Sequence, residues 1–307
     1  MPLNLGVSLP TFVGHGGTIG DIPALARHAE QAGLDTVWVG DHLSAQTPFL
    51  DSVVALAGAA AVTERIHLGF GVMLLALRQQ AWAAKQLASL QYLSGDRVLL
   101  GVGAGGHPDE WPAGGVPYTA RGRRTDAMLR ALPDLFAGRS TPLLTVPGKP
   151  TLTLDPPVPA PPLWIGGMSD RALRRAIDHG AGWLASLLTP DELAARTAAL
   201  SALAKEAGTP TPQIGTTVFA ALTTISEGER QGHDRVVRFL RSLTGEDGLS
   251  EERANRLVIS GPPEKLADRL SAYAHSGATT FIINLSGPDL PHQYALLAQT
   301  RELLSEH

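Results

Sequence analysis

Three short stretches of this chain carry residues that could do chemistry. Asp41-His42 sets a carboxylate beside an imidazole just after an apolar tetrapeptide, and an imidazole titrates near neutrality, where it can give or take a proton. Gly101-Val102-Gly103-Ala104-Gly105-Gly106 has G-x-G-x-x-G spacing. A dinucleotide fingerprint of that kind must open a helix at once, whereas Pro108, Pro112 and Pro117 follow here. Two readings remain for it, a flexible loop or glycines that let the backbone approach a flat cofactor. Gly166-Gly167-Met168-Ser169 stands between an apolar run and a helical one. Backbone N–H groups at such a helix start can face a phosphate, or Ser169 can simply cap the helix.

Other chemistries find no support. The chain has no cysteine, so a thiol nucleophile or thiolate metal site is excluded. No H-E-x-x-H spacing and no G-x-S-x-G elbow occur, and no metal site is expected. His67 lies in an apolar run and reads as core, while His179, His233, His275 and His307 read as solvated. A net charge of −4 gives no basic surface for nucleic acid or an anionic membrane. No apolar run reaches the roughly 20 residues of a membrane helix, and Met1–Leu5 lacks the start of a signal peptide. A soluble cytoplasmic protein acting on a small molecule is the expectation.

The elements that must position these residues alternate along the chain. Short apolar strands are expected at 5–9, 36–39, 66–73, 97–102, 163–165, 182–187, 213–222 and 279–284. Amphipathic helices fall between them, as in 21–33, where Ile22, Leu25, Ala26 and Ala29 share a face and Gly33 stops the run. Thr189-Pro190-Asp191-Glu192 is a helix start with Pro in the first turn and acids facing the dipole. Eight β-then-α units require parallel pairing and, at 307 residues, predict one (β/α)₈ TIM barrel, a single domain over 1–307. Insertions are expected after strands 4 and 7. The first holds a Gly/Pro-rich loop over 104–118 and a hairpin of 143–146 with 151–154, and the second one or two helices within 227–257. In such a barrel the site lies at the C-terminal ends of the strands, where all three chemical stretches fall.

In this order, these strand ends resemble the luciferase-like monooxygenase superfamily, and in particular its F420-dependent oxidoreductase branch. The resemblance rests on Asp35–His42, Leu68–Val72, Ala84–Leu90, Leu93–Gly105, Arg121–Arg124, Trp164–Gly167 and Ser260–Glu264. It implies a barrel that binds a flavin-like ring at its mouth and transfers a hydride between the deazaflavin F420 and a small organic substrate. His42 would handle the accompanying proton and Asp41 would tune it. Gly71 and Val72, joined by a non-proline cis peptide, would support the ring from behind. Ala104, Gly105 and Gly106 would line the cofactor loop, and Gly166, Gly167 and Ser169 would meet the phosphate. The family's sugar-phosphate dehydrogenases carry an acid where this chain has Gly106, which speaks against sugar-phosphate oxidation. The resemblance also makes a homodimer plausible. Three alternatives stand beside this reading: an FMNH₂-dependent monooxygenase, a flavin-binding barrel without catalysis, and a cofactor-free barrel hydrolase or isomerase.

Overall fold

The computed structural model describes residues 3–12, 19–45, 47–244 and 248–305. Eight parallel strands form a closed ring: β1 (Asn4–Ser8), β2 (Thr36–Val39), β3 (His67–Phe70), β4 (Val98–Val102), β5 (Leu163–Gly166), β6 (Gly182–Ala185), β7 (Ile214–Leu222) and β8 (Thr280–Leu285). Each pairs with the next, and β8 returns to β1 with Asn4 against Thr280 and Val7 against Ile283. The expected (β/α)₈ TIM barrel is therefore the observed one, with helices wrapped around the ring.

Local chemistry places the helices. The Asp21 carboxylate accepts from the Ala24 amide to open Ile22–Gln31, and Asp51 accepts from the amides of Val53 and Val54 to open Ser52–Ala60. Pro190 and the acids Asp191 and Glu192 form the first turn of Pro190–Ala207, which ends on Gly208 in the left-handed conformation.

The barrel lumen explains much of the glycine in the strands. Side chains alternate across each strand, so one set points outward under the helices and the other into the lumen. The lumen is filled by Trp38, Trp164, Leu184 and Ile282, with Leu99 and Val72 packed against them. A Cβ on Gly69 would stand 2.2 Å from the Trp38 ring, and one on Gly182 would stand 2.2 Å from the Trp164 ring. Each large indole thus occupies the volume that a neighbouring strand vacates.

Four features depart from the sequence reading. The hairpin pairs Thr141–Pro142 with Thr151–Leu152, earlier on its first arm than expected, and Leu143 lies buried in the main core with its N–H on Pro150 O. His67 is exposed, because it opens β3 at the N-terminal face of the barrel and does not lie under a helix. The second insertion holds helices Ser226–Thr244 and Glu251–Leu257 and also a ninth parallel strand, Val258–Gly261, beside the outer half of β7. Residues 104–118 are the expected loop, with short 3₁₀ turns at Pro108–Glu110 and Tyr118–Ala120, and it folds around fully buried Trp111, with Leu74, Leu77 and Val116. Of the histidines read as solvated, His179 and His233 are half-buried and His275 is exposed, while His307 lies outside the described residues.

Candidate active site at the barrel mouth

His42 follows β2 and stands on the rim of a cleft of about 350 Å³. The loop after β4 supplies His107, Asp109 and Glu110 to that cleft, the loop after β2 supplies Phe49, and the end of helix Ser226–Thr244 supplies Ser242 and Leu243. Among the described lining residues there is no Lys or Arg. A larger hollow of about 790 Å³ opens at the opposite face, around Asn4, His67, Trp164 and Gln213. Chemistry in this architecture sits at the C-terminal strand ends, and the opposite hollow has His67 as its sole titratable lining group, so the mouth is the better site.

The carboxylate that touches His42 is Glu110, not Asp41. Glu110 Oε1 lies 3.1 Å from His42 Nδ1, and its Oε2 accepts from the Leu43 amide at 2.9 Å. The Glu110 side chain is fully buried, while that of His42 is 25% exposed. A carboxylate can only accept, so His42 Nδ1 is the donor to Glu110 and Nε2 is the ring nitrogen left for other partners. The His42 ring meets Phe49 edge-on at 5.2 Å and His107 at 5.4 Å. Phe49 in turn stacks on Phe12 at 4.8 Å.

Asp41 is buried in a different network. It accepts from Ser52 Oγ at 2.8 Å, from the Leu74 amide at 2.9 Å and from Arg78 Nη2 at 2.6 Å. Arg78 also donates to Asp51 at 2.9 Å. Asp41 therefore fastens the loop after β3 to the loop after β2. Burial costs the Arg78 guanidinium part of its solvation, yet Asp41 and Asp51 hold its pKa above the usual value. The expected Asp41–His42 pairing is corrected by this geometry. Glu110 is the residue that sequence reasoning missed, and a signal was available: a lone Glu-Trp pair inside a Gly/Pro stretch, with the indole anchoring its neighbour in the interior.

The peptide Gly71–Val72 is cis, as expected. The Val72 side chain lies across the mouth and forms its floor. A Cβ on Gly103 would stand 2.5 Å from Val72 Cγ2, and one on Gly166 would stand 2.6 Å from Val72 Cγ1. Gly101 is also required by packing, since a Cβ there would stand 1.9 Å from Phe70 O. Part of the G-x-G-x-x-G run thus serves the barrel. Of the rest, Gly105 has φ +78° and a carbonyl that accepts from Arg121 Nε at 3.2 Å; the Gly106 carbonyl accepts from Tyr118 Oη at 3.1 Å. Ala104 is half-buried and Gly106 exposed, with open space where a Gly106 side chain would stand.

Gly167 has φ +127°, and its carbonyl accepts from Trp183 Nε1 at 2.8 Å. Ser169 caps helix Asp170–Asp178, its Oγ accepting from the Ala172 amide at 3.3 Å. The cap uses a lone pair and leaves the hydroxyl proton free to donate. A glycine-lined mouth floored by Val72, with a capped helix start beside it, fits a flat ring carrying a phosphate tail. The candidate residues of β2, β3, β4 and β5 all gather at one end of the barrel.

Residues 3–280 match the family model described as luciferase-like monooxygenase. The chain belongs to this family. An F420-dependent glucose-6-phosphate dehydrogenase of Beutenbergia cavernae is 30% identical over 304 residues, covering 86% of this chain and 87% of that protein. An uncharacterized protein of Mycobacterium tuberculosis is 37% identical over 169 residues, 54% of this chain, and the match spans 58% of that relative's length. In fold, the monooxygenase RslO1 of Streptomyces bottropensis superposes with a TM-score of 0.80 at 21% identity, over 99% of this chain and 98% of that one. The family's members include oxidoreductases and monooxygenases, and relatives named for F420 stand beside monooxygenases. Among the described residues, no helix is long and apolar enough to cross a membrane.

Proposed function

We propose that this protein is an F420-dependent oxidoreductase acting on a small organic substrate, with His42 as its proton-handling group. The observation that carries the reading is the His42–Glu110 pair at the rim of the mouth cleft. When bound, the deazaflavin supplies the ring carbon that accepts or donates the hydride. The chain does the rest. Glu110 holds Nδ1 of His42, so Nε2 takes or returns the proton of the substrate oxygen while the substrate C–H bond is made or broken. Val72 backs the ring, Gly71, Ala104, Gly105 and Gly106 border it, and the amides of Gly166 and Gly167 with the Ser169 hydroxyl hold the phosphate. Asp41 serves by positioning, through the loop it fastens.

The absence of Lys and Arg among the described cleft residues and the glycine at 106 argue against a phosphorylated sugar as substrate. An FMNH₂-dependent monooxygenase is the second reading, supported by the fold likeness to RslO1. The strongly exposed Val54 and Trp82, on neighbouring helices, support a homodimer. The deciding experiment is a spectral titration with oxidised and reduced F420 and with FMN. Tighter F420 binding is expected, and FMN preference with oxygen-dependent turnover would overturn the deazaflavin assignment. His42→Ala should lower kcat by roughly 10²–10⁴-fold with little change in cofactor Kd.

A further inference from the structure

Asn284 is a polar residue with no hydrogen-bond partner among the described residues. It is 8% exposed, and its carboxamide makes no hydrogen bond with the described residues. Neither of its side-chain polar atoms is among those shut off from solvent without a partner, so the carboxamide stays reachable by a ligand. Nothing in the packing of β8 demands an amide there. Phe281, Ile283 and Leu285 point outward into the main core, and Ile282 points into the lumen. Strand alternation therefore aims Asn284 into the lumen, one step above Ile282 and at the mouth.

Its neighbours are also polar. The register that pairs Val7 with Ile283 brings Ser8 beside Asn284, and the Ser8 hydroxyl is likewise unpartnered among the described residues. On the other flank Asn284 is paired with Phe219, below which Thr217 shares a 2.7 Å hydrogen bond with Ser186. The β6–β7–β8–β1 side of the mouth is thus a hydroxyl- and amide-bearing wall. The opposite side is the glycine and Val72 floor.

We infer that Asn284 reads the imide edge, the C=O, N–H, C=O sequence, of a planar ring held at the barrel mouth. A carboxamide carries one acceptor and two donors, so it can form two parallel hydrogen bonds with adjacent N–H and C=O groups of a cyclic imide. Ser8 and the Ser186–Thr217 pair supply the next donor or acceptor along that edge. Flavins and deazaflavins share this edge, so Asn284 selects the ring class and leaves the choice between them to other contacts. The inference rests on the reading that such a ring occupies the mouth.

The test titrates the full chain with F420, with FMN, with the phosphate-free ring lumiflavin and its 5-deaza analogue, and with N3-methyl-lumiflavin, which lacks the imide N–H. Wild type should bind N3-methyl-lumiflavin at least tenfold more weakly than lumiflavin. Asn284→Leu should bind lumiflavin at least tenfold more weakly than wild type and no longer distinguish it from the methylated ring. The thermal midpoint of Asn284→Leu should hold, because the change removes no hydrogen bond among the described residues and keeps the branching of the side chain. Equal binding of the two lumiflavins by wild type would overturn the inference and leave the ring site intact. A lowered midpoint with unchanged discrimination by Asn284→Leu would make Asn284 structural and also overturn it. Failure of wild type to bind F420, FMN and both ring fragments alike would overturn the ring-site reading, and this inference with it.

Discussion

Replacing Glu110 by Gln tests the centre of the proposed site with a near-isosteric change. The wild-type carboxylate accepts twice, from His42 Nδ1 at 3.1 Å and from the Leu43 amide at 2.9 Å. A Gln carboxamide offers one acceptor oxygen and one NH₂ donor, so it cannot satisfy both N–H groups. If its oxygen stays on Leu43, its NH₂ faces His42 Nδ1, and the ring must accept there and move its proton to Nε2. A hydrogen bond to a carboxylate contributes about 1.5–3 kcal/mol, and here it joins a buried Glu110 to a part-exposed His42, which sets the preference for the working tautomer. Converted at 1.4 kcal/mol per decade, Glu110→Gln should slow hydride transfer by roughly 10- to 150-fold. Nitrogen-15 NMR of the imidazoles reads the cause directly: wild-type His42 should carry its proton on Nδ1, and Glu110→Gln should shift population to Nε2–H. Single-turnover absorbance of the bound deazaflavin reads the rate, and cofactor Kd should stay within about twofold. An unchanged tautomer together with an unchanged rate would refute the assignment of Glu110.

Four further outcomes follow from the same structure. Gly166→Ala should lower stability by about 1–3 kcal/mol, since its Cβ would meet Val72, and Val72→Ala in the same chain should recover most of that loss in thermal melts. The hydrogen bonds from Arg253, set against a smaller burial cost, hold the Glu192 carboxyl at about 2. A depressed folded pKa contributes stability above the unfolded value of 4.5 that is lost as pH falls toward 2. Glu192→Gln should therefore cost on the order of 1 kcal/mol at pH 7 after solvent screening, with the gap to wild type closing between pH 4.5 and 2 in denaturant titrations. Light scattering should give twice the 32.3 kDa chain mass, and Val54→Glu with Trp82→Glu should return the single-chain mass. Asp41→Asn should lower the thermal midpoint more than it lowers kcat at a temperature where the variant is folded, because its acceptors hold Ser52, Leu74 and Arg78.

The barrel, and the end of it that holds the candidate site, can be read from the chain alone. Those are local statements: a few apolar residues make each strand, Asp21 and Asp51 open helices within three residues, and eight such units admit little besides a closed parallel ring. His42 was legible for the same reason, since it follows a strand that the pattern locates, whereas the cis peptide at Gly71-Val72 was legible only through the family resemblance. Which groups meet was decided only in three dimensions. Glu110 reaches His42 across 68 positions of chain, and it does so because Trp111 pulls a Gly/Pro stretch into the interior. Asp41, adjacent to His42 in sequence, turns the other way, since neighbouring residues at a strand end project to opposite sides. The glycines divide likewise. Gly69, Gly101, Gly103 and Gly166 make room for Trp38, the Phe70 carbonyl and Val72, and that demand exists only once separate strands are closed into a ring. Asn284 stands in a strand that is otherwise apolar after Thr280, and that it finds no partner among the described residues is a property of the packed barrel alone.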